Sequence, residues 1–317
     1  MFGPQAIGAG VVTRTPGCAG TGSESDRATV GSPTSGCKPD RTGTTLPDIG
    51  TAELELNANS SDPGNNPAMQ SVLGWLRVWL PPGCGWAAGP ITDRAAGAFA
   101  DEEQLIGKSV RKRRNEFRAG RDVARQALAQ VGCAPTAILA RPQRDPIWPQ
   151  GFLGSITHSE RFALAIAAPS RLMQAVGVDL EDDPKLDRRL VSIVCRADER
   201  HQAPKLAQLG IDHAKLCFVT KEAVFKAIFP QQRSALEFEQ LRVSFDLPEC
   251  SFSVSIRNAD GDTWSHIAGI GRFLCNPTLL VAAFVIPQSS NPGWSCTSLP
   301  SSMAVRLISA ADIINGI

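Results

Sequence analysis

Two carboxylates that stand two positions apart are the first residues in this sequence that could do chemistry. Asp179 and Glu181 flank one leucine in an otherwise apolar stretch that predicts a buried strand. Side chains alternate along a strand, so these two carboxylates point to the same face. Further along, Glu222 and Lys226 are four positions apart in a segment predicted to be helical, which makes them neighbours on one helix surface.

Three carboxylates and one ammonium group, if the fold brings them together, could hold a hard cation against a phosphate ester. Carboxylate oxygens are the ligands that Mg²⁺ prefers, and Mg²⁺ is commonly completed by water and substrate phosphates. Each pattern alone is also typical of a solvated surface. The surrounding sequence therefore has to decide between the two interpretations.

Four motifs, in the same order along the chain, closely resemble those of the 4'-phosphopantetheinyl transferases. They lie at residues 112–121, 148–159, 176–181 and 218–227, within a resemblance that covers roughly residues 79–286. The resemblance is to the branch that serves siderophore, nonribosomal-peptide and polyketide synthesis, like the D component of enterobactin synthetase. Small departures, such as Thr157 where the family often has serine, remove no charged group.

The resemblance implies both a fold and a reaction. The implied fold is α+β, with two similar α/β lobes related by a pseudo-twofold axis, here at residues 71–174 and 175–287, and an active site at their junction. The implied reaction transfers 4'-phosphopantetheine from coenzyme A to a serine of an apo acyl or peptidyl carrier protein. It would depend on Mg²⁺, with Mn²⁺ as a substitute, and release 3',5'-ADP.

The resemblance also assigns roles to charged residues of the motifs. Asp179, Glu181 and Glu222 would hold the metal ion. Glu222, or a metal-bound water that it orients, would take the serine proton, and Lys226 would support the departing phosphate. The residues that would contact coenzyme A are Arg113, Arg121, Thr157, His158, Asp179, Glu222 and Lys226, together with Arg141 or Arg144.

Two other classes of function use the same residues. One is a Mg²⁺-dependent phosphohydrolase that acts on coenzyme A or a nucleotide, with water in place of the carrier serine. The other is an inactive module that binds carrier proteins or coenzyme A. The inactive module is disfavoured because every charged position of the motifs is present, and the hydrolase would be distinguished by its products.

Composition limits the partners and the compartment. A net charge of +1 argues against a nucleic-acid binder, and no apolar run approaches the roughly 18 residues of a membrane helix. The nine cysteines include no C-x-x-C pair and no His-Cys cluster at metal-ligand spacing, which argues against zinc. Scattered cysteines in a chain without a signal peptide predict reduced thiols in the cytoplasm. We expect a monomer.

The two ends of the sequence differ from its middle. Residues 1–70 are rich in Gly, Ser, Thr, Pro and Asn, which predicts a disordered extension because too little apolar surface is available to bury. Residues 288–317 form a tail with one short helix predicted at 303–314. The transferase domain is therefore expected at residues 71–287.

Hydrophobic periodicity predicts the elements of that domain. Predicted strands lie at residues 73–80, 152–157, 162–168, 175–180, 241–246, 250–256, 264–275 and 279–286. Three helices are predicted. The first follows an acidic start at 101–103 and ends at Gly132, and the second covers 185–195. The third is capped by Asp212 and stops at Pro230. The first helix carries a basic stripe typical of a solvated face, and only the resemblance gives Arg113 and Arg121 a ligand.

Overall fold

The computed structural model describes residues 62–182, 185–232 and 236–288. They form helices and antiparallel sheets, so the predicted α+β class is confirmed, whereas the pseudo-twofold relation of two lobes stays a prediction. Nearly all of the predicted extension and the helix at 303–314 lie outside the described residues. Within the described residues, no helix combines the length and apolar character needed to cross a membrane.

The described chain contains the following helices and strands. The helices are α1 (Pro67–Trp79), α2 (Ala100–Ile106), α3 (Arg111–Gln130), α4 (Val191–Val194), α5 (Ala203–Gln208) and α6 (His213–Gln232). The strands are β1 (Gly85–Pro90), β2 (Phe152–His158), β3 (Phe162–Pro169), β4 (Met173–Glu181), β5 (Leu241–Asp246), β6 (Ser251–Arg257), β7 (Trp264–His266), β8 (Ile270–Cys275) and β9 (Leu280–Pro287). Short 3-10 turns lie at Arg188–Leu190, Ala197–Gln202 and Phe238–Gln240.

The first sheet has the strand order β1-β3-β2 and packs against α3. Its central strand β3 is buried on both faces, and its sequence alternates between large and small residues. Phe162, Leu164 and Ile166 join a core that also contains α1, whereas the alanines between them contact α3. Because alanine is small, α3 can lie close to the sheet.

The second sheet has the order β4-β9-β8-β6-β5, with β7 paired to β6. Val178 and Leu180 of β4 point into the core shared with β3 and α1. The alternation of a strand therefore turns Gly177, Asp179 and Glu181 to the opposite face, where α6 packs against β4. This alternation places the two carboxylates beside the helix that carries Glu222.

The predicted strand at residues 73–80 is wrong, because this stretch belongs to α1. The buried residues Met69, Val72 and Leu76 recur at helical spacing and pack in the core. The helix begins with a cap in which the Asn66 side chain accepts a hydrogen bond from the Met69 amide at 3.0 Å. The cap lies before residue 71, so the packed part of the chain begins earlier than the sequence indicated.

Most other predicted elements are confirmed, but two helices differ. The segment 185–195 forms only a 3-10 turn and the four-residue α4, because the Val194 carbonyl accepts a hydrogen bond from the Lys221 ammonium at 2.8 Å and the chain is extended at Cys195. Pro230 does not stop α6, which runs two residues further, to Gln232. Asp212 is a cap as predicted, since it accepts from the Lys215 amide at 2.9 Å. The predicted strand at 264–275 is divided into β7 and β8.

A buried ion pair fixes α6 against the segment that precedes it. Lys221 Nζ lies 2.9 Å from Glu199 Oε2 and also donates to the carbonyls of Val194 and Phe238, at 2.8 and 3.1 Å. Glu199 in turn accepts from the Val243 amide at 2.8 Å. Both charged side chains are fully buried, so each depends on the other.

We expect Lys221→Met to lower the free energy of unfolding by about 3–5 kcal/mol, because it leaves the Glu199 carboxylate buried without a counter-charge. Chemical denaturation measures this change. Lys205→Met, on the exposed surface of α5, is the matched control and should leave stability unchanged within about 0.5 kcal/mol. A Lys221→Met protein as stable as the wild type would show that the pair contributes nothing.

Candidate active site

Two hydroxyl groups join the edges of the two sheets and position the first carboxylate. Ser155 and Thr157 of β2 accept hydrogen bonds from the β4 amides of Val178 and Leu180, at 3.0 and 3.2 Å. Thr157 Oγ1 also donates to Asp179 Oδ1 at 2.9 Å. The threonine predicted to contact coenzyme A therefore has a structural bond to the predicted metal ligand.

Lys226 and Asp179 form the centre of the site. Lys226 Nζ lies 2.5 Å from Asp179 Oδ1 and 3.4 Å from Thr157 Oγ1. Burial acts to lower the pKa of Lys226, but the carboxylates of Asp179, Glu222 and Glu181 outweigh it, so the pKa is raised. The ammonium group is therefore held in its charged form.

The other oxygen of Asp179 has no hydrogen-bond partner among the described residues. Asp179 Oδ2 is buried and makes no hydrogen bond, and Glu222 likewise accepts none from the described residues. Burial raises the pKa of Glu222 to about 7; Lys226 opposes this shift, and Asp179 and Glu181 add to it. A buried oxygen without a partner costs free energy, which a bound cation would recover.

Glu181 is the most exposed of the three carboxylates, with 31% of its side chain accessible. Burial and the neighbouring Asp179 raise its pKa, while Lys215 and Lys226 oppose the shift. Lys215 Nζ lies 3.0 Å from Glu181 Oε2. Sequence analysis missed Lys215, although it precedes Glu222 by seven positions and Lys226 by eleven, a spacing that puts all three on one face of α6.

The acidic cluster, formed by Asp179, Glu181 and Glu222, suits a hard divalent cation. Asp179 Oδ2 and the carboxylate of Glu222 have no hydrogen-bond donor in the described chain, and Glu181 opens to solvent. Carboxylate oxygens with room for water are the environment that Mg²⁺ and Mn²⁺ prefer. The donor types therefore fit the ion that the sequence predicted, and the three carboxylates, whose oxygens are not all within 4.8 Å of one another, would have to close around it.

A second charged group adjoins this cluster at the end of β2. Arg113 Nη1 lies 3.1 Å from His158 Nε2 and 3.3 Å from Glu116 Oε2. Burial lowers the pKa of His158, with Glu116 opposing the shift and Arg113 and Lys226 adding to it. The imidazole is thus neutral at pH 7 and can accept from the arginine. Sequence analysis predicted Arg113 and His158 but missed Glu116.

Of the other three predicted arginines, Arg121 and Arg141 have structural partners for their side chains. Arg121 is buried over the Phe117 ring, its Nε donates to the Ile138 carbonyl at 2.6 Å, and burial lowers its pKa to about 10. Arg141 forms an ion pair of 2.6 Å with Asp145. Arg144 adopts a left-handed backbone with φ 72° in the same turn. Among the described residues, no hydrogen bond joins these arginines to the acidic cluster.

Comparison with known families agrees with this geometry. The family described as the 4'-phosphopantetheinyl transferase N-terminal domain matches residues 101–168, and the 4'-phosphopantetheinyl transferase superfamily matches residues 175–269. The first matched region contains α3 with β2 and nearly all of β3, and the second contains most of β4 with α6. The site therefore lies between strands and a helix that both family descriptions cover.

Individual relatives lead to the same family. The chain is 33% identical over 168 residues to the 4'-phosphopantetheinyl transferase PptT of Mycobacterium tuberculosis, covering 52% of this chain and 74% of that protein. It is 35% identical over 154 residues to the transferase Npt of Nocardia iowensis, covering 49% of this chain and 69% of that protein. It is 37% identical over 147 residues to enterobactin synthase component D of Salmonella typhi, covering 43% of this chain and 60% of that protein. The chain belongs to the 4'-phosphopantetheinyl transferase superfamily and is an enzyme of this class.

Proposed function

We propose that this protein transfers 4'-phosphopantetheine from coenzyme A to a serine hydroxyl of an apo acyl or peptidyl carrier protein. The transfer is Mg²⁺-dependent and releases 3',5'-ADP. One observation carries the proposal. Asp179 Oδ2 is buried without a hydrogen-bond partner, beside Glu222, whose pKa is raised to about 7, and the charged Lys226. Relatives named as phosphopantetheinyl transferases support the choice of donor and acceptor.

The metal ligands in this proposal are Asp179, Glu181 and Glu222. A cation bound there supplies positive charge against the negative charge that develops on the pyrophosphate during displacement. The role of Thr157 is to keep Asp179 in place through its 2.9 Å hydrogen bond. Lys215 holds Glu181 in the same way.

Glu222 and Lys226 act on protons and charge during the displacement. Glu222, or a water that it orients, accepts the proton of the carrier serine as the general base. The serine oxygen then bonds to the β-phosphorus, and the bond from that phosphorus to the bridging oxygen breaks. Lys226 donates a hydrogen bond to the phosphate that departs in 3',5'-ADP.

The adenosine end of coenzyme A carries a further phosphate, and Arg113 and His158 are the candidates to bind it. The Arg113 side chain is 41% exposed, so its guanidinium can reach a ligand without unfolding the helix. Arginine binds phosphate oxygens through two parallel donors. Arg121 of the same helix has a structural role here, because its Nε donates a hydrogen bond to the Ile138 carbonyl.

Product analysis separates transfer from hydrolysis of coenzyme A. With an apo carrier present, the proposal requires 3',5'-ADP to appear in the same amount as modified carrier. Without a carrier, little 3',5'-ADP should form. Free phosphopantetheine produced at the same rate with and without carrier would instead identify a hydrolase.

Metal binding should depend on pH because Glu222 must lose its proton to bind a cation. Burial raises its pKa to about 7, so Mg²⁺ affinity should fall as pH drops below 7, by up to about tenfold per pH unit. Calorimetry in two buffers of different ionisation enthalpy should detect the proton released on binding. In Glu222→Gln this release should vanish. Mg²⁺ affinity that is constant from acid to neutral pH would contradict the prediction.

Arg113→Ala should raise KM for coenzyme A about tenfold or more, since one hydrogen bond to a charged group contributes about 1.5–3 kcal/mol. Steady-state kinetics with saturating carrier measure this change. Lys112→Ala removes the neighbouring, more exposed cation, whose one ion pair among the described residues is with the exposed Glu160, and should leave KM unchanged. Equal effects of the two substitutions would indicate a general loss of charge rather than a phosphate contact.

A further inference from the structure

A second group of potential metal ligands lies in the core, away from the acidic cluster. Cys195, His213 and Cys217 are buried, and one ligand atom from each lies within 4.8 Å of the others. Cys217 Sγ is 3.5 Å from His213 Nε2, and Cys195 Sγ is 4.0 Å from His213 Nδ1. The proposed transfer reaction uses none of these three residues.

Two elements of the fold bring the three side chains together. His213 and Cys217 are four residues apart at the start of α6, so they lie on the same face of the helix. Cys195 follows α4 directly, and its amide is held by the Val191 carbonyl at 2.9 Å. Sequence analysis missed the cluster because Cys195 is 18 residues from His213.

The distances suit a cation with tetrahedral coordination. Bonds of about 2.3 Å to sulfur and about 2.0–2.1 Å to imidazole nitrogen place neighbouring ligand atoms about 3.5–3.8 Å apart. The Cys217–His213 pair already has this separation. Cys195 Sγ lies 4.0 Å from the other ring nitrogen, Nδ1, and the three ligand atoms lie within 4.8 Å of one another, so Cys195 has to move closer to bind the same cation. The cation would use one imidazole nitrogen, and Nε2 is the nearer one to Cys217.

The charge state and the access also favour a cation. The thiolate is the form of cysteine that binds metals, and two thiolates balance the charge of one divalent cation. Cys195 also lines a surface cavity of about 500 Å³, together with Ser192 and Arg196, so the cluster adjoins a route from solvent.

We propose that Cys195, His213 and Cys217 form a binding site for a thiophilic divalent cation, for which Zn²⁺ is the test ion. Thiolate and imidazole ligands prefer such a cation to Mg²⁺, so this site differs in chemistry from the carboxylate cluster. Binding displaces the thiol protons of Cys195 and Cys217, and the two thiolates then balance the charge of the ion. The bound ion joins the end of α4 to α6.

The test uses the full chain, reduced and stripped of metal by a chelator. Co²⁺ serves as a spectroscopic probe, because thiolate ligands give it an intense near-ultraviolet charge-transfer band that carboxylates do not. We expect this band to appear with one equivalent of Co²⁺, to be displaced by Zn²⁺, and to be unaffected by excess Mg²⁺. Absence of the band would overturn the proposal without any substitution of the buried residues.

Variants then locate the ion. Cys195→Ser and Cys217→Ser should each weaken Zn²⁺ binding about 100-fold or more in competition with a chromophoric chelator, since even losing a residue behind a ligand costs about 10–100-fold. Cys250→Ser, a buried cysteine of the same core, and Glu222→Gln should retain wild-type affinity. Unchanged affinity in Cys195→Ser, or equal loss in Glu222→Gln, would place the ion elsewhere and overturn the proposal.

Discussion

Glu222→Gln should lower kcat for carrier modification by about 10²–10⁴-fold, the usual cost of losing a general base. The amide keeps the shape of the side chain and one oxygen, but it cannot accept the serine proton. The substitution should not destabilise the fold. Because burial raises the pKa of Glu222 to about 7, its charge disfavours the folded state above that pH, so the neutral amide should leave the melting temperature unchanged or raise it.

Asp179→Asn is the comparison for this substitution, because it is also isosteric but changes a residue that has no assigned role in proton transfer. Its lost activity should be partly recovered by excess Mg²⁺, whereas that of Glu222→Gln should not. Titrating Mg²⁺ against kcat for both variants makes the comparison. If excess Mg²⁺ restores both equally, Glu222 is a ligand and not the base.

Gly177→Ala should lower the free energy of unfolding by about 3 kcal/mol and also reduce transfer, because the backbone of α6 packs directly against this position. A Cβ at this position would overlap the carbonyl oxygen of Ala223 and lie 2.7 Å from the amide nitrogen of Ala227. Both contacts are with helix backbone, which cannot rotate away. The helix must shift, and Glu222, next to Ala223, would move away from Asp179.

Gly74→Ala gives the opposite result in the same experiment. Gly74 lies on the exposed side of α1, where a Cβ would meet nothing within 4 Å. Alanine should therefore stabilise this helix by about 0.5–1 kcal/mol. Denaturation midpoints measure both variants, and equal effects of the two substitutions would show that the contact between β4 and α6 is not tight.

Local periodicity predicted the parts of the site that a single element determines. The alternation of β4 put Asp179 and Glu181 on one face, and the structure shows α6 on that face. The spacing of Glu222 and Lys226 likewise gave a shared helix surface. That β4 and α6 meet at all came from the family resemblance, because no local pattern specifies which distant elements pack together.

Residues that act across elements were missed for the same reason. Ser155 joins the two sheets by accepting from Val178, a contact between residues 23 positions apart. Lys221 belongs to the motif at residues 218–227, but its partner Glu199 lies 22 positions earlier. The sequence could not show that both are buried. The error at α1 had a local cause, since the interpretation began at residue 73 and omitted the cap at Asn66 and the first helical turn.

The mass of an intact carrier protein tests the central claim most directly. An apo acyl or peptidyl carrier protein is incubated with the enzyme, coenzyme A and Mg²⁺, beside a carrier whose acceptor serine is replaced by alanine. The predicted result is one phosphopantetheinyl group on the serine carrier, none on the alanine carrier, and one 3',5'-ADP for each group transferred. A serine carrier of unchanged mass, while coenzyme A is consumed, would contradict the account.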